Sequence, residues 1–311
     1  MSDVYGNKGK EFTNTINLKS LDSQLTNHQI PPSSSGTMYR RVIVPARVNI
    51  IGEHTDYASG LALPFAVNKK LELVIKPRKL DFSGDDTIVT LWKAAGGYPA
   101  DLTITSEIPI GKGMSSSAAL CIAIVVGVEP NQDKMVICQK AQQLEHDILG
   151  TPCGLLDQIA IVYAKGNSAT KINFANLSVE HIPLPKSWIF KLVDSGIHRQ
   201  LSEVNYQADI THLKSHVDEE NKRVMEAINS DAANLGRLLN DSHESLSKLG
   251  VSLPEIDALV KEIQTTDGVL GARMMGGGFG GMVIALVANE DILPNSSRVI
   301  SSGSFTFEEL G

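Results

Sequence analysis

Pro45-Ala46-Arg47-Val48-Asn49-Ile50-Ile51-Gly52-Glu53-His54-Thr55-Asp56-Tyr57 brings an arginine, a histidine and two carboxylates together directly after the β-branched run Arg41-Val42-Ile43-Val44. With Pro45 the run reads as a short strand, Arg41 to Pro45. The segment behind it reads as a loop, because Gly52, Gly60 and Pro64 interrupt any regular element. Taken alone, that loop is a polar surface.

Further along, Leu71 to Ile75 alternates as a strand should. Leu102 to Ile108 does the same, with Ile104 and Ile108 in phase with Leu102, so a half-buried strand leads into Pro109-Ile110-Gly111-Lys112-Gly113-Met114-Ser115-Ser116-Ser117. A buried helix is expected next, since Ala118 to Val126 is mostly apolar and free of Gly and Pro, with Ser115, Ser116 and Ser117 able to cap it. Lys134 to Leu149 has helical spacing and stops at Gly150-Thr151-Pro152, which places Glu145 near a helix C-terminus. After Asp194-Ser195-Gly196 the pattern becomes that of amphipathic helices at 204–228, 232–248 and 254–265. The turn Met274 to Gly281 then feeds a strand, Met282 to Val287, and the sum is mixed α+β packing.

The chain has 311 residues, 42% hydrophobic and 20% charged, enough for one sizeable core or two domains of ordinary size. Its apolar runs are too short to cross a bilayer, which takes roughly 20 residues in a helix. The polar first 36 residues, with Pro31-Pro32 and Ser33 to Gly36, lack the apolar core of a secretory signal. The three cysteines form no CxxC pair, so neither a disulfide framework nor a cysteine zinc site is indicated. A cytoplasmic location is expected. The formal charge of −7 argues against nucleic acid as partner, which clustered Lys and Arg would be needed to hold.

Two glycine loops differ in what they can do. The stretch Gly111 to Ala118 can present backbone N–H groups, hydroxyls and a helix N-terminus to a phosphate, or can simply cap a buried helix; local chemistry leaves both open. Gly276-Gly277-Gly278-Phe279-Gly280-Gly281 satisfies G-x-G-x-x-G, but a strand rather than a helix follows, and the H-R-D and D-F-G elements of protein kinases are missing. No G-x-x-x-x-G-K-[ST] occurs. His212 and His216 form H-x-x-x-H without the intervening Glu of a zinc helix, and are expected to be solvated.

Taken in order, the Arg47 to Tyr57 segment, the serine loop and the late glycine loop closely resemble the three motifs of the GHMP kinase superfamily, and the GEHTDY wording resembles galactokinases within it. Further likeness lies in Pro152 to Gln158, Ser242 to Leu246, Pro254 to Asp257 and Gly271 to Met274, over about residues 40 to 290. The resemblance implies an α+β fold of two domains: an N-terminal βα domain at 38–196 and a C-terminal ferredoxin-like domain at 197–311, with the active site between them. Residues 1–37 would be an N-terminal extension, disordered in part.

By the same resemblance the protein would move the γ-phosphoryl group of ATP to the anomeric hydroxyl of galactose. Arg47 and Asp157 would be the catalytic pair, with Glu53, His54, Asp56, Gly154 and Tyr206 completing the sugar site. Gly111, Gly113, Ser115, Ser116, Ser117 and Ala118 would hold the ATP phosphates, and Ser117 and Glu145 would coordinate Mg²⁺. Polyol recognition suits carboxylates, which accept from several hydroxyls at once. Met275 departs from the Thr common at that place, Gln207-Ala208-Asp209 departs from the usual basic pair, and the stretch from Trp92 to Ile108 lacks a helix the family normally has. Three alternatives follow: a kinase for a related galactose-configured sugar such as N-acetylgalactosamine, a catalytically silent galactokinase-like binder, or a protein with an altered adenine pocket.

Overall fold

The computed structural model describes residues 38–197 and 210–311. The elements run β1 (Tyr39–Asn49), β2 (Leu61–Ala62), β3 (Pro64–Pro77), α1 (Asp86–Ala94), β4 (Ala100–Ser106), α2 (Ser116–Val128), α3 (Lys134–Asp147), α4 (Leu156–Val162), β5 (Ser168–Asn173), β6 (Ser178–Pro183) and β7 (Ile189–Asp194). There follow α5 (Ile210–Ala227), α6 (Ala232–Lys248), α7 (Pro254–Thr265), β8 (Val269–Met274), β9 (Met282–Val287), β10 (Ser297–Arg298) and β11 (Thr306–Leu310). The last two long helices and β9 fall where the spacing predicts them. The expected helix at 204–228 is described only from Ile210, and the proposed extension 1–37 lies outside the described residues.

The strands make three antiparallel sheets, ordered β11-β1-β3-β4, β10-β7-β9-β8 and β2-β5-β6. Helix α2 packs on β1 and β3 and is buried nearly all round from Ala118 to Gly127, with Leu120 alone half-buried, which is why its sequence shows no polar stripe. At Gly127 a Cβ would sit 2.6 Å from Ile75 Cδ1, so the missing side chain lets the helix settle on the sheet. Trp92 is fully buried beside it, its Nε1 donating to Tyr98 O at 2.7 Å. Ser115 occupies the N-cap position of α2 but caps nothing with its side chain, contrary to the sequence expectation; its backbone is left-handed (φ 63°), which turns the hydroxyl away from the helix N–H groups.

Two further features depart from the sequence reading. The strand expected at Arg41 to Pro45 continues to Asn49 through an irregularity between Pro45 and Ala46, so Arg47 stands on a strand and not in a loop. The bulge re-aims the residues beyond it. The final residues, which carry little pattern, form β11 and pair with β1 from Tyr39↔Leu310 to Ile43↔Thr306. Cross-strand charges match that register: Arg40 meets Glu309 at 3.0 Å and Arg41 reaches Glu308 at 3.7 Å, while on the other side Arg41 meets Glu72 of β3 at 2.7 Å.

Helix α6 crosses β8 at backbone distance. A Cβ at Gly236 would lie 2.1 Å from Leu270 O, and one at Gly271 would lie 2.0 Å from Gly236 O. In a free helix Gly236→Ala would gain about 1 kcal/mol. Here it must push helix and strand apart, and overpacking of this kind costs about 1–3 kcal/mol. Gly236→Ala is therefore expected to lower the urea midpoint with little change in slope.

Candidate active site

A cleft of about 400 Å³ opens between the end of β1, the serine loop, the α3–α4 connection and the late glycine loop. Of the residues predicted for the site, Arg47, Glu53, His54, Asp56, Gly111, Gly113, Ser115, Ser116, Ser117, Glu145, Gly154 and Asp157 all line it. Ala118 is fully buried in the first turn of α2 and does not, and Tyr206 lies outside the described residues.

Arg47 is nearly buried and makes three bonds. Its Nε and Nη2 donate to Asp157 Oδ1 at 2.7 and 2.5 Å, and its Nη1 donates to Gly113 O at 2.5 Å. The carboxylate on the first turn of α4 is thus tied through one guanidinium to the serine loop. Both contacts to Asp157 fall on one oxygen, which leaves Oδ2 free of the arginine.

The Gly52–Tyr57 loop is gripped from behind. Glu220 on α5 has no exposed surface, and its Oε2 accepts from Gly52 N at 3.0 Å, while Asn221 Oδ1 accepts from Leu61 N at 2.7 Å. His216, also on α5, donates from Nε2 to Glu53 O at 2.9 Å and meets Ser245 Oγ through Nδ1 at 2.7 Å. It is 3% exposed, so the expectation of a solvated histidine is wrong for it: the i, i+4 spacing that places it on the inner face of α5 is invisible without knowing what α5 covers.

Glu53 faces two ways. Burial pushes its carboxyl up, but the Arg273 and Arg47 guanidiniums and the Gly276 N–H outweigh burial and hold it below the usual carboxylate range. Its Oε1 accepts from Gly276 N at 2.7 Å and from Arg273 at 3.3 and 3.4 Å. Asp56 behaves oppositely: burial, then the charge of Asp157, raises it to about 6. A Cβ at Gly154 would lie 1.8 Å from Asp56 Oδ2, so only glycine there leaves room for this carboxylate. His54 shares a 2.9 Å hydrogen bond with Tyr57 and holds a left-handed backbone (φ 57°), uncommon outside glycine.

In the serine loop, Gly111 (φ 72°), Gly113 (φ 76°) and Ser115 take left-handed conformations in alternation, which turns backbone groups toward the cleft. The buried Ser115 Oγ has no hydrogen-bond partner among the described residues. The late glycine loop closes against it: a Cβ at Gly113 would be 3.2 Å from Met275 O, and one at Gly276 would be 3.3 Å from Gly113 Cα.

Glu145 is 2% exposed and hydrogen-bonded to Ser117 and Gln158, and burial raises its carboxyl to about 7. No cationic side chain is among the groups that shift it, and Asp157 raises it further. An oxygen-only donor pair, Ser117 and Glu145, with an uncompensated buried carboxyl fits a hard divalent cation, whose remaining ligands would come from phosphate and water. Among the described residues no cluster of three or more His, Cys, Asp or Glu side chains could hold a metal alone.

Comparison with known proteins matches three family models: the galactokinase galactose-binding signature at residues 38–77, the GHMP kinases N terminal domain at 86–165 and the GHMP kinases C terminal domain at 224–295. Galactokinase of Thermotoga neapolitana is 34% identical over 87% of this chain and 97% of its own length. Galactokinase of Thermotoga maritima is 33% identical over 79% and 89%. The chain belongs to the galactokinase family of GHMP kinases. Among solved structures, galactokinase of Lactococcus lactis complexed with galactose superposes with a TM-score of 0.74 at 24% identity, covering 86% of this chain and 95% of that one. Mevalonate kinase of L. major gives 0.67 at 20% identity, over 87% and 97%, a likeness of fold. The Thermotoga maritima alignment runs over 310 positions, more than the part of this chain it takes in, so that galactokinase carries residues this one lacks. Here only residues 95–99 connect α1 to β4.

Sequence reasoning gave no role to Arg273, Gln158, Glu220 or His216. For Arg273 there was a signal: a charged residue in the middle of the apolar strand Val269–Met274 must be paired if buried. For the helical residues there was none, since Glu and His on an amphipathic helix look the same facing inward or outward.

The raised carboxyls set a pH dependence. Between about 4.5 and 7 the unfolded chain ionises Glu145 while the folded one keeps it protonated, so the nucleotide- and metal-free protein loses stability as pH rises through that window. Asp56 adds the same sign between 3.8 and about 6. Glu145→Gln should flatten the upper part of that fall in thermal midpoints measured from pH 4.5 to 7.5 in chelator-treated buffer.

Proposed function

We propose that this protein transfers the γ-phosphoryl group of ATP to the anomeric hydroxyl of galactose, giving galactose 1-phosphate and ADP. The observation that carries the reading is the Arg47 bridge, which holds the Asp157 carboxylate against the serine loop in the same cleft as Glu53, His54 and Asp56. Family membership supplies the reaction class, with sugar and ATP as substrates; the sugar's identity rests on the matched signature and the galactokinase relatives.

In this reading the sugar lies between Asp157 and the Glu53–Asp56 loop, with its anomeric hydroxyl toward the phosphates. The free Oδ2 of Asp157 accepts the hydroxyl proton as the oxygen bonds to phosphorus and the bond to the ADP oxygen breaks. Arg47 orients Asp157 and offsets negative charge beside the transferring group. Glu53 has one oxygen committed to Gly276 and Arg273, so its other oxygen reads a hydroxyl. Asp56, raised to about 6, does so beside Gly154. The N–H groups of Gly111, Gly113 and Ser115 to Ser117 and the Ser115 hydroxyl receive phosphate oxygens. Mg²⁺, held by Ser117 and Glu145, would neutralise phosphate charge.

Residues 38–196 would then carry the sugar and phosphate loops, and 197–311 would close the cleft through the late glycine loop and brace the Gly52–Tyr57 loop from behind through α5. We assign the reaction to the cytoplasm, a reading supported by three free thiols, Cys121, Cys138 and Cys153. Among the described residues no helix is long and apolar enough to cross a membrane.

ADP release with Mg-ATP should depend on galactose and be weak with N-acetylgalactosamine, glucose and arabinose. Asp157→Asn should lower kcat by about 10²–10⁴-fold, the usual contribution of a positioned proton acceptor, while sugar binding by calorimetry persists. Turnover confined to another sugar would move the substrate. Sugar and nucleotide binding without turnover in the unaltered protein would make it a silent binder.

A further inference from the structure

Lys112 sits between the two left-handed glycines of the serine loop, yet it does not line the cleft and is 7% exposed. Its Nζ donates to Asp194 Oδ1 at 2.7 Å, at the end of β7. Its carbonyl accepts from Met282 N at 3.2 Å, at the start of β9. Asp194 and Met282 are themselves paired across β7 and β9, so both anchors of Lys112 come from one rung of one sheet. The approach is close: a Cβ at Gly281 would meet Lys112 O at 2.9 Å, and Gly281 takes a φ of 91° that favours glycine. On its other flank the loop is held by Arg47 through Gly113 O.

A buried ammonium needs its partner, and this one spends it on a carboxylate whose side chain is 48% exposed and which also accepts from Gly196 N at 2.9 Å. The lysine does not line the cleft and its charge is met at Asp194, so it acts on a ligand chiefly through the loop it anchors. We propose that Lys112 and Asp194 form a positioning pair that seats the serine loop on the β7–β9 rung and thereby sets affinity for the nucleotide phosphates. The inference rests on the reading that this loop receives those phosphates. The Glu53–Asp56 loop follows β1 and is gripped by α5, and Arg47 is its side's link to the serine loop, through Gly113 O, a bond that neither Lys112 nor Asp194 makes.

The test uses the full chain and a non-hydrolysable ATP analogue with Mg²⁺, followed by calorimetry, alongside steady-state KM for ATP and for galactose. Lys112→Met and Asp194→Asn should each weaken the analogue and raise KM for ATP by about tenfold, the scale of one well-placed partly buried interaction. The double variant should be no worse than either single one, and KM for galactose should stay within about twofold. Lys112→Arg should retain most of the affinity. Asp194→Asn keeps the result readable if Lys112→Met folds poorly, since Asp194 is half-exposed. Unchanged nucleotide affinity in both single variants, additive losses in the double, or parallel losses for sugar and nucleotide would overturn the pairing. Gly113→Ala strains the loop itself and separates the two readings. If it weakens the analogue while the pair variants do not, only the pair fails; if it leaves affinity intact, the phosphate-loop reading fails and takes the pair with it.

Discussion

A guanidinium with no exposed surface holds the two ends of the catalytic sequence together. Arg273, on β8, donates to Asn49 O at 2.5 Å, to Ile50 O at 2.8 Å and to Met274 O at 2.7 Å, and its charge is met by Glu53. Burying an arginine is expensive unless its donors are used and its charge is opposed, and here both conditions hold. These partners, apart from Met274, come from the end of β1 and the loop after it, more than two hundred positions earlier in the chain. The loop that carries Glu53 and the glycine loop that follows Arg273 are therefore fixed with respect to each other before any ligand arrives. That preorganisation is what a phosphoryl-transfer site needs, since positioning and charge do most of the work there.

Four carboxylates share the cleft, and no two stand in the same environment. Glu53 is kept charged by two guanidiniums, Asp157 is bonded to Arg47, Asp56 is raised to about 6 by burial and by Asp157, and Glu145, hydrogen-bonded by Ser117 and Gln158, is raised to about 7 by burial and then by Asp157. Separating like groups in this way lets one constellation of residues carry distinct tasks in a small volume. The glycines serve the same end: Gly154 makes space for Asp56, and Gly113 and Gly276 let two loops touch through backbone.

Much of this was legible in the residues. Helices α6 and α7 and strand β9 follow from periodicity, caps and glycine, and the motif order carried the family and most of the cleft lining. The unreadable parts share one cause: they depend on which face meets a distant partner. His216 looks like any polar helical residue until α5 is laid against the Glu53 loop. Lys112 shows nothing in the sequence that sets it apart from its loop, and its side chain turns to Asp194. Strand β11 has too few apolar residues to announce itself; its ladder with β1, the packing of Phe307 on the core and the charges of Arg40 and Arg41 become visible only once the two ends of the chain meet.

That last strand bears on how the protein is made. β1 is among the first parts of the described chain to leave the ribosome, but its outer neighbour is residues 306–310, among the last. The sheet beneath α2 must wait with one edge open while everything between is synthesised, and closing so long a loop is slow as well as entropically unfavourable. An open edge is a template for wrong pairings. Arg40 and Arg41, charged residues on the waiting edge, discourage such pairing until Glu308 and Glu309 arrive, so the same side chains that select the right partner also guard the nascent chain against the wrong ones.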